Sequence, residues 1–151
     1  MSEPISQSLF SNKTLIITFL AWAIAQCIKV IIGCVVEKRF NFRWFVGSGG
    51  MPSSHAAGVT AMATAIGLEL GFNSVIFAMA AVLALVIMFD AQGVRRASGQ
   101  QAEILNKILD DIYWSGKLEA ERLKELIGHT PIQVIIGALL GLSLAFVLYE
   151  L

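Results

Sequence analysis

The sequence predicts an all-α integral membrane bundle of about four transmembrane helices, and three observations carry that prediction. Of 151 residues, 56% are hydrophobic and 15% charged, with a mean hydropathy of +0.73; soluble domains run at roughly 45–50% and about 25%. Three apolar blocks follow one another along the chain, and a helix needs about 20 such residues to cross a hydrocarbon core. The middle block carries Gly71, Phe72, Asn73 and Ser74 near its centre, a turn signal that divides it into two helices. Residues 1–151 are short enough that one small domain is the ceiling.

The first span is expected over residues 14–36, TLIITFLAWAIAQCIKVIIGCVV, whose one charge is Lys29. It is too long for the apolar region of a signal peptide and lacks a small-residue cleavage site. Cys27 and Cys34 stand seven apart, two helical turns from one another, a poor geometry for a disulfide, so both read as buried thiols. The second and third spans are expected over 53–70 and 74–91. Residues 95–130 are polar and contain ILNKILDDIYWSGKLEAERLKELIG, where Leu118, Leu123, Leu126 and Ile127 among charges suggest short amphipathic helices. That block is expected to lie over the membrane surface or fold back on the bundle, with Asp110, Asp111, Glu119 and Glu121 as a solvated face. The fourth span, 131–149, is uncharged and begins with a proline, which suits a first helical turn. Gly33, Gly67, Gly137 and Gly141 read as sites of close helix packing, and the Gly137/Gly141 pair suggests a homodimer contact.

Lys38, Arg39 and Arg43 follow the first span, and Arg95, Arg96, Lys107, Lys117, Arg122 and Lys124 lie between the third and fourth. The positive-inside rule then makes both connections cytoplasmic in a multi-pass plasma-membrane protein, with both termini outside. Arg39 and Arg43 read first as topology anchors, and Lys29 can be read as snorkelling to the headgroups. A net charge of zero gives no electrostatic case for nucleic acid, and two histidines without paired cysteines give no zinc pattern.

This topology gathers the reactive residues on one face: His55 at the start of the second helix, Asp90, Arg95 and Arg96 at the end of the third, and His129 before the fourth. In GSGGMPSSHAAG, residues 47–58, Pro52 fits a first helical position, and the 52–55 turn offers a helix N-terminus beside flexible glycines. In GHTP, Thr130 is a cap and Pro131 a helix start, which holds His129 at the rim. Two helix N-termini, two histidines and two arginines make an anion the expected ligand.

MPSSHAAG, then FDAQGVRRASGQQAEILN, then GHTPIQVIIGALLG resemble the type 2 phosphatidic acid phosphatase superfamily, and in particular its small divergent branch. The likeness runs from Lys29 to Gly141. The superfamily hydrolyses lipid phosphates and is related to vanadium haloperoxidases. The resemblance implies that Lys29, with Arg39 or Arg43, and Arg95 or Arg96 contact phosphate. It also implies that Ser53 and Ser54 hold phosphate, that His55 protonates the leaving oxygen, and that His129 is the nucleophile. Two departures stand out. More than thirty residues separate Arg96 from His129, far beyond the superfamily's spacing, and Gln133 occupies the position of its Asp. A carboxylate there fixes the imidazole tautomer and stabilises the imidazolium, whereas an amide does only the first. Asp90 or Glu125 is a candidate for the missing charge, with Asp90 favoured because an acid at a membrane helix end is costly unless paired or functional.

The activity this implies is a two-step, metal-independent phosphoryl transfer through a phosphohistidine, with no cofactor. A cytoplasmic site suggests phosphatidylglycerol phosphate or a polyprenyl phosphate or diphosphate as substrate. Two rival classes remain: a non-catalytic scaffold or anionic-lipid binder with a decayed site, and a small transporter or channel. Inverted repeats, which would favour transport, are not visible.

Overall fold

The structure, a computed structural model, describes residues 5–38, 50–113 and 129–151, with residues 5–6, 94–98 and 110–113 placed by backbone alone. Arg39, Arg43, Glu125 and the apolar positions Leu118, Leu123, Leu126 and Ile127 lie outside the described residues. All regular structure among the described residues is helical: α1 (Ile5–Phe10), α2 (Lys13–Glu37), α3 (Ser54–Leu70), α4 (Val75–Gln92), α5 (Val94–Tyr113) and α6 (Pro131–Glu150). Of these, α2, α4 and α6 are long and apolar enough to cross a membrane.

Each long apolar helix starts on a side-chain cap. Asn12 accepts from the Leu15 N–H at 2.9 Å, Ser53 from Ala56 at 3.3 Å, Ser74 from Phe77 at 3.2 Å and Thr130 from Gln133 at 3.4 Å. These oxygens satisfy donors that the helix cannot satisfy itself. Pro52 therefore precedes the cap and is not the first helical residue of α3. The chain turns between α3 and α4 at Gly71, whose φ of 87° suits a residue without a Cβ.

Helix α3 is the axis of the bundle: α2, α4 and α6 all pack on it, α2 also meets α6, and α2 and α4 do not meet. The buried side of α3 is built from Ala56, Ala57, Gly58, Ala61, Ala63, Thr64, Ala65 and Gly67. Small side chains let backbones approach, which is how helices associate in lipid, where apolar burial offers no net drive. Ile17 and Ala21 of α2 and Ala145 of α6 close on Ala61 and Ala65, while Ala80 and Ala84 of α4 close on Ala63. The large apolar residues point outward, among them Phe19, Ile31, Val35, Val82, Val86, Phe89, Ile135 and Leu139.

The glycines divide by what they touch. A Cβ at Gly137 would strike the Ser53 carbonyl, and one at Gly141 the Ala57 carbonyl. This pair is therefore used within the chain, against α3, and is removed from the contact between copies that its spacing suggested. Gly67 faces the Phe72 ring of the following turn, not another helix. The thiols also depart from expectation: Cys27 and Cys34 are both free, but Cys27 is exposed and Cys34 half-buried. Helix α2 places them off the α3 contact, which the uniformly apolar sequence of 14–36 gave no means to foresee.

The end of the bundle opposite the caps of α3 and α6 is fastened by polar side chains. Thr14 donates to Glu69 at 2.9 Å, and the Lys13 ammonium lies over the Tyr149 ring, 4.7 Å from its centroid. The polar block begins as a 20-residue helix, α5, with Ile104, Leu105 and Ile108 exposed and Ala102 and Asn106 buried.

Candidate functional site

At the other end, the N-termini of α3 and α6 lie side by side. The Ser53 N–H donates to the Gln133 carbonyl at 3.0 Å, and the His129 N–H to the Ala91 carbonyl, near the end of α4, also at 3.0 Å. Two histidines meet there, their ring centroids 6.3 Å apart and their planes inclined at 58°. His55 is exposed, whereas His129 is 1% exposed.

The His129 ring is held at one nitrogen and lacks a partner at the other. Its Nδ1 lies 3.3 Å from Gln133 Oε1, while Nε2 is buried and has no hydrogen-bond partner. Ser54 Oγ is the second buried polar atom in that state among the described residues. A buried polar group left unsatisfied costs about 1–3 kcal/mol. Both atoms belong to the sequence motifs, MPSSHAAG and GHTP.

The two serines thereby separate. Ser53 is committed to structure through its cap on Ala56 and its N–H on Gln133, and Ser54 carries the uncommitted hydroxyl. Lys29 enters from α2. It is 7% exposed, donates to Gln26 Oε1 at 3.0 Å, and its Cγ would lie 3.2 Å from a Cβ at Gly50. The Lys29 stem is thus covered by the loop before α3 instead of reaching outward along the helix. Gln26 was missed in the sequence; a glutamine three residues before an intramembrane lysine was its available signal.

Burial pushes the His129 pKa down. The Gln133 hydrogen bond opposes this, the positive charge at Lys29 and that of protonated His55 add to it, and the Gly50 backbone opposes it. The ring is accordingly neutral at pH 7. Asp90 is half-buried and partnered, one residue before the Ala91 carbonyl that takes the His129 N–H. The position behind Nδ1 belongs to Gln133 and not to Asp90. Arg95 and Arg96 lie in the first turn of α5, directly after α4. Among the described residues, no three His, Cys, Asp or Glu side chains gather as a metal site would need.

On α3, Val59 and Ile66 are half-buried and pack against the Ala63, Ala80 and Ala84 cluster shared with α4. His55 is exposed on the same side of the helix, which Val59, Met62 and Ile66 continue half-buried at intervals of three and four residues. An apolar stripe therefore leads along the helix to the exposed histidine.

Residues 10–144 match the Divergent PAP2 family. The chain belongs to that family. A relative from Bacillus subtilis (strain 168), named "Uncharacterized membrane protein YuiD", is 40% identical in an alignment covering 93% of this chain and 96% of the relative. No solved structure matches the chain.

Proposed function

We propose that this member of the Divergent PAP2 family hydrolyses a lipid phosphate or diphosphate by phosphoryl transfer through His129. The observation that carries the reading is the His129 ring itself: buried, held at Nδ1, unpartnered at Nε2 and 6.3 Å from the ring of His55. In the first step the Nε2 lone pair forms a bond to phosphorus. The bond from phosphorus to the lipid oxygen breaks, and protonated His55 supplies the proton to the departing alkoxide. In the second step His55 takes a proton from water, the water oxygen bonds to phosphorus, and the phosphorus–nitrogen bond breaks to restore His129.

Charge on the equatorial oxygens falls to Lys29, the Ser54 hydroxyl, the α3 N-terminus and Arg95 or Arg96, the kind of stabilisation that dominates phosphoryl transfer. The mechanism calls on no metal. The stripe of Val59, Met62 and Ile66 beside His55 supports a lipid over a soluble phosphate, with the headgroup at the histidines and the chain along α3. In this reading helix α3 is a fourth membrane-embedded helix, and the positive-inside rule applied to the basic residues supports a site at the cytoplasmic face of the plasma membrane. Phosphatidylglycerol phosphate and polyprenyl phosphates or diphosphates are the candidate substrates.

A second reading rests on Gln133, which cannot neutralise an imidazolium: the site binds an anionic headgroup without turning it over. Phosphate release in mixed micelles containing EDTA separates the two, with phosphatidylglycerol phosphate, phosphatidic acid and polyprenyl diphosphate as substrates. Release from one of them, abolished in both His55→Ala and His129→Ala, is the expected result. Folded protein that binds these lipids and releases no phosphate establishes the second reading.

A further inference from the structure

We infer, building on the phosphate-binding role proposed for Lys29, that Gln26 is the positioning residue that holds the Lys29 ammonium inside the bundle and keeps its charge free for an anion at His129. A lysine within a membrane span ordinarily snorkels, laying its stem along the helix until the ammonium reaches the headgroups. Lys29 does otherwise. It is 7% exposed, and its Cγ and Cδ would lie 3.2 and 3.4 Å from a Cβ at Gly50, so the loop before α3 covers the stem. Its Nζ donates to Gln26 Oε1 at 3.0 Å, three residues earlier on the same side of α2. An ammonium only donates, so the amide faces it with its oxygen. Gln26 is itself 5% exposed and has an interaction besides this one, so the acceptor is held from both ends.

The neutrality of Gln26 matters as much as its place. An ammonium has three donors, and among the described residues Gln26 alone accepts from this one and no carboxylate pairs with it. A buried charge with one neutral partner is costly, and an anion is the group that relieves the cost. A carboxylate at position 26 would cancel the charge, whereas an amide holds the ammonium and leaves the charge whole. That charge reaches the site. Burial lowers the His129 pKa most, and against the opposing Gln133 hydrogen bond the Lys29 charge adds to the fall, followed by His55 of α3. Gly50 adjoins both residues, and Asp90 of α4 stands next to the Ala91 carbonyl that takes the His129 N–H.

Two substitutions divide place from charge. Gln26→Met keeps an unbranched side chain of similar length and removes the acceptor, which frees Lys29 to snorkel. Gln26→Glu keeps the acceptor and cancels the charge.

The test is the affinity of the full chain in detergent micelles for inorganic phosphate, and for phosphatidic acid in the same micelles, by 31P NMR titration. Both variants are expected to bind roughly tenfold more weakly, the effect of one unit charge at about 10 Å and an effective dielectric constant of about 20. In a Lys29→Met background, Gln26→Met is expected to change nothing further, because Gln26 acts through that ammonium. A merely structural glutamine would leave the His129 titration alone. Followed by 15N-histidine NMR, with His55→Ala to assign the two rings, the His129 midpoint is expected to rise in both variants, since the positive charge near the ring is moved or cancelled. Equal losses of affinity with and without Lys29 overturn the inference, as do full affinity in Gln26→Glu, a midpoint that stays in place, or binding of neither ligand by the unsubstituted protein. Dependence on Gln26 with either ligand supports it, and the tighter ligand tells a lipid headgroup from free phosphate. If Gln26→Met does not fold, Gln26→Glu decides on both readouts. Binding with this dependence in a protein that releases no phosphate from lipids refutes the phosphatase reading and leaves the role of Gln26 standing.

Discussion

Adding one methyl group at Gly141 tests how tightly α6 is set against α3. A Cβ there would lie 2.8 Å from both the carbonyl carbon and the Cα of Ala57. That is about 0.7 Å inside the distance of about 3.5 Å at which carbon atoms begin to attract. Main-chain atoms of a packed helix cannot swing aside, so the helices must part. Overpacking of this kind costs typically 1–3 kcal/mol, and a contact with three main-chain atoms of Ala57 belongs near the upper end. Alanine returns about 1 kcal/mol of helix propensity over glycine, so the expected net loss for Gly141→Ala is about 2 kcal/mol. For a chain of this length that lowers the melting temperature by about 4–8 °C.

Gly67 supplies the contrast, because the atoms nearest its added Cβ all belong to the Phe72 side chain, which is 52% exposed, instead of to main chain. Gly67→Ala should melt within about 2 °C of the unsubstituted protein or above it. Gly137→Ala should lose activity more than stability, since its Cβ drives into the Ser53 carbonyl at the cap of α3, and a displacement of about 1 Å near a reacting centre costs about 100-fold in rate. The measurements are thermal unfolding in micelles and phosphate release from the same preparations. Equal melting of Gly141→Ala and Gly67→Ala would refute the reasoning, because it would mean that the α3–α6 approach is slack.

Four further outcomes are expected. Ser53→Ala removes the α3 cap and should cost about 1 kcal/mol, or about 2–4 °C in melting temperature. Ser54→Ala removes a buried hydroxyl without a partner and should hold or raise the melting temperature while reducing phosphate release; lowered melting with full phosphate release would contradict the division of roles between the serines. The depressed pKa of His129 means that the unfolded chain, with a histidine pKa of about 6.5, takes up a proton that the folded chain refuses. Stability is therefore full above about pH 6.5 and falls as the pH drops below it. His129→Asn should show a smaller fall between pH 7 and pH 5, and parallel curves for the two proteins would remove burial of the neutral ring as the cause. Asn73→Cys, in a chain with Cys27 and Cys34 replaced by Ala, should react with a membrane-impermeant thiol reagent from outside intact cells. Labelling confined to broken cells would reverse the orientation.

Helix boundaries were the most legible part of the sequence, because small local signals set them. Asn73 and Ser74 mark the turn before α4, Thr130 and Pro131 mark the start of α6, and the helices begin and end within one residue of where those signals place them. The pairing of His55 with His129 was legible too, since an up-and-down topology brings the start of α3 and the start of α6 to one end. What each helix turns toward its neighbours was not. In an apolar run every face has similar hydropathy, so nothing in 14–36 marks Cys27 as exposed or Gln26 as the partner of Lys29. The use of Gly137 and Gly141 was equally hidden, because a pair of small residues fits a neighbouring helix and a second copy alike. Gln133 stood out only as an amide in place of an acid; its three acceptor contacts depend on Thr130, His129 and Ser53 being placed around it.

Helix α3 has 17 residues and α2 has 25, or about 25 Å against about 37 Å. A hydrocarbon core is about 30 Å deep, so the shorter helix cannot reach both of its boundaries. With Glu69 tied to Thr14 near the start of α2, the shortfall is taken at the end that carries Ser53 and His55. With α3 embedded as proposed, the histidines sit at the bottom of a dent, below the level of the surrounding headgroups. A bilayer thins and admits water around polar groups held at such a depth. Depth thus becomes a selector. In the proposed reaction, a phosphate on a flexible single chain is drawn into the dent at small cost, and the water that would free the histidine from its phosphoryl group is carried down with the indentation itself.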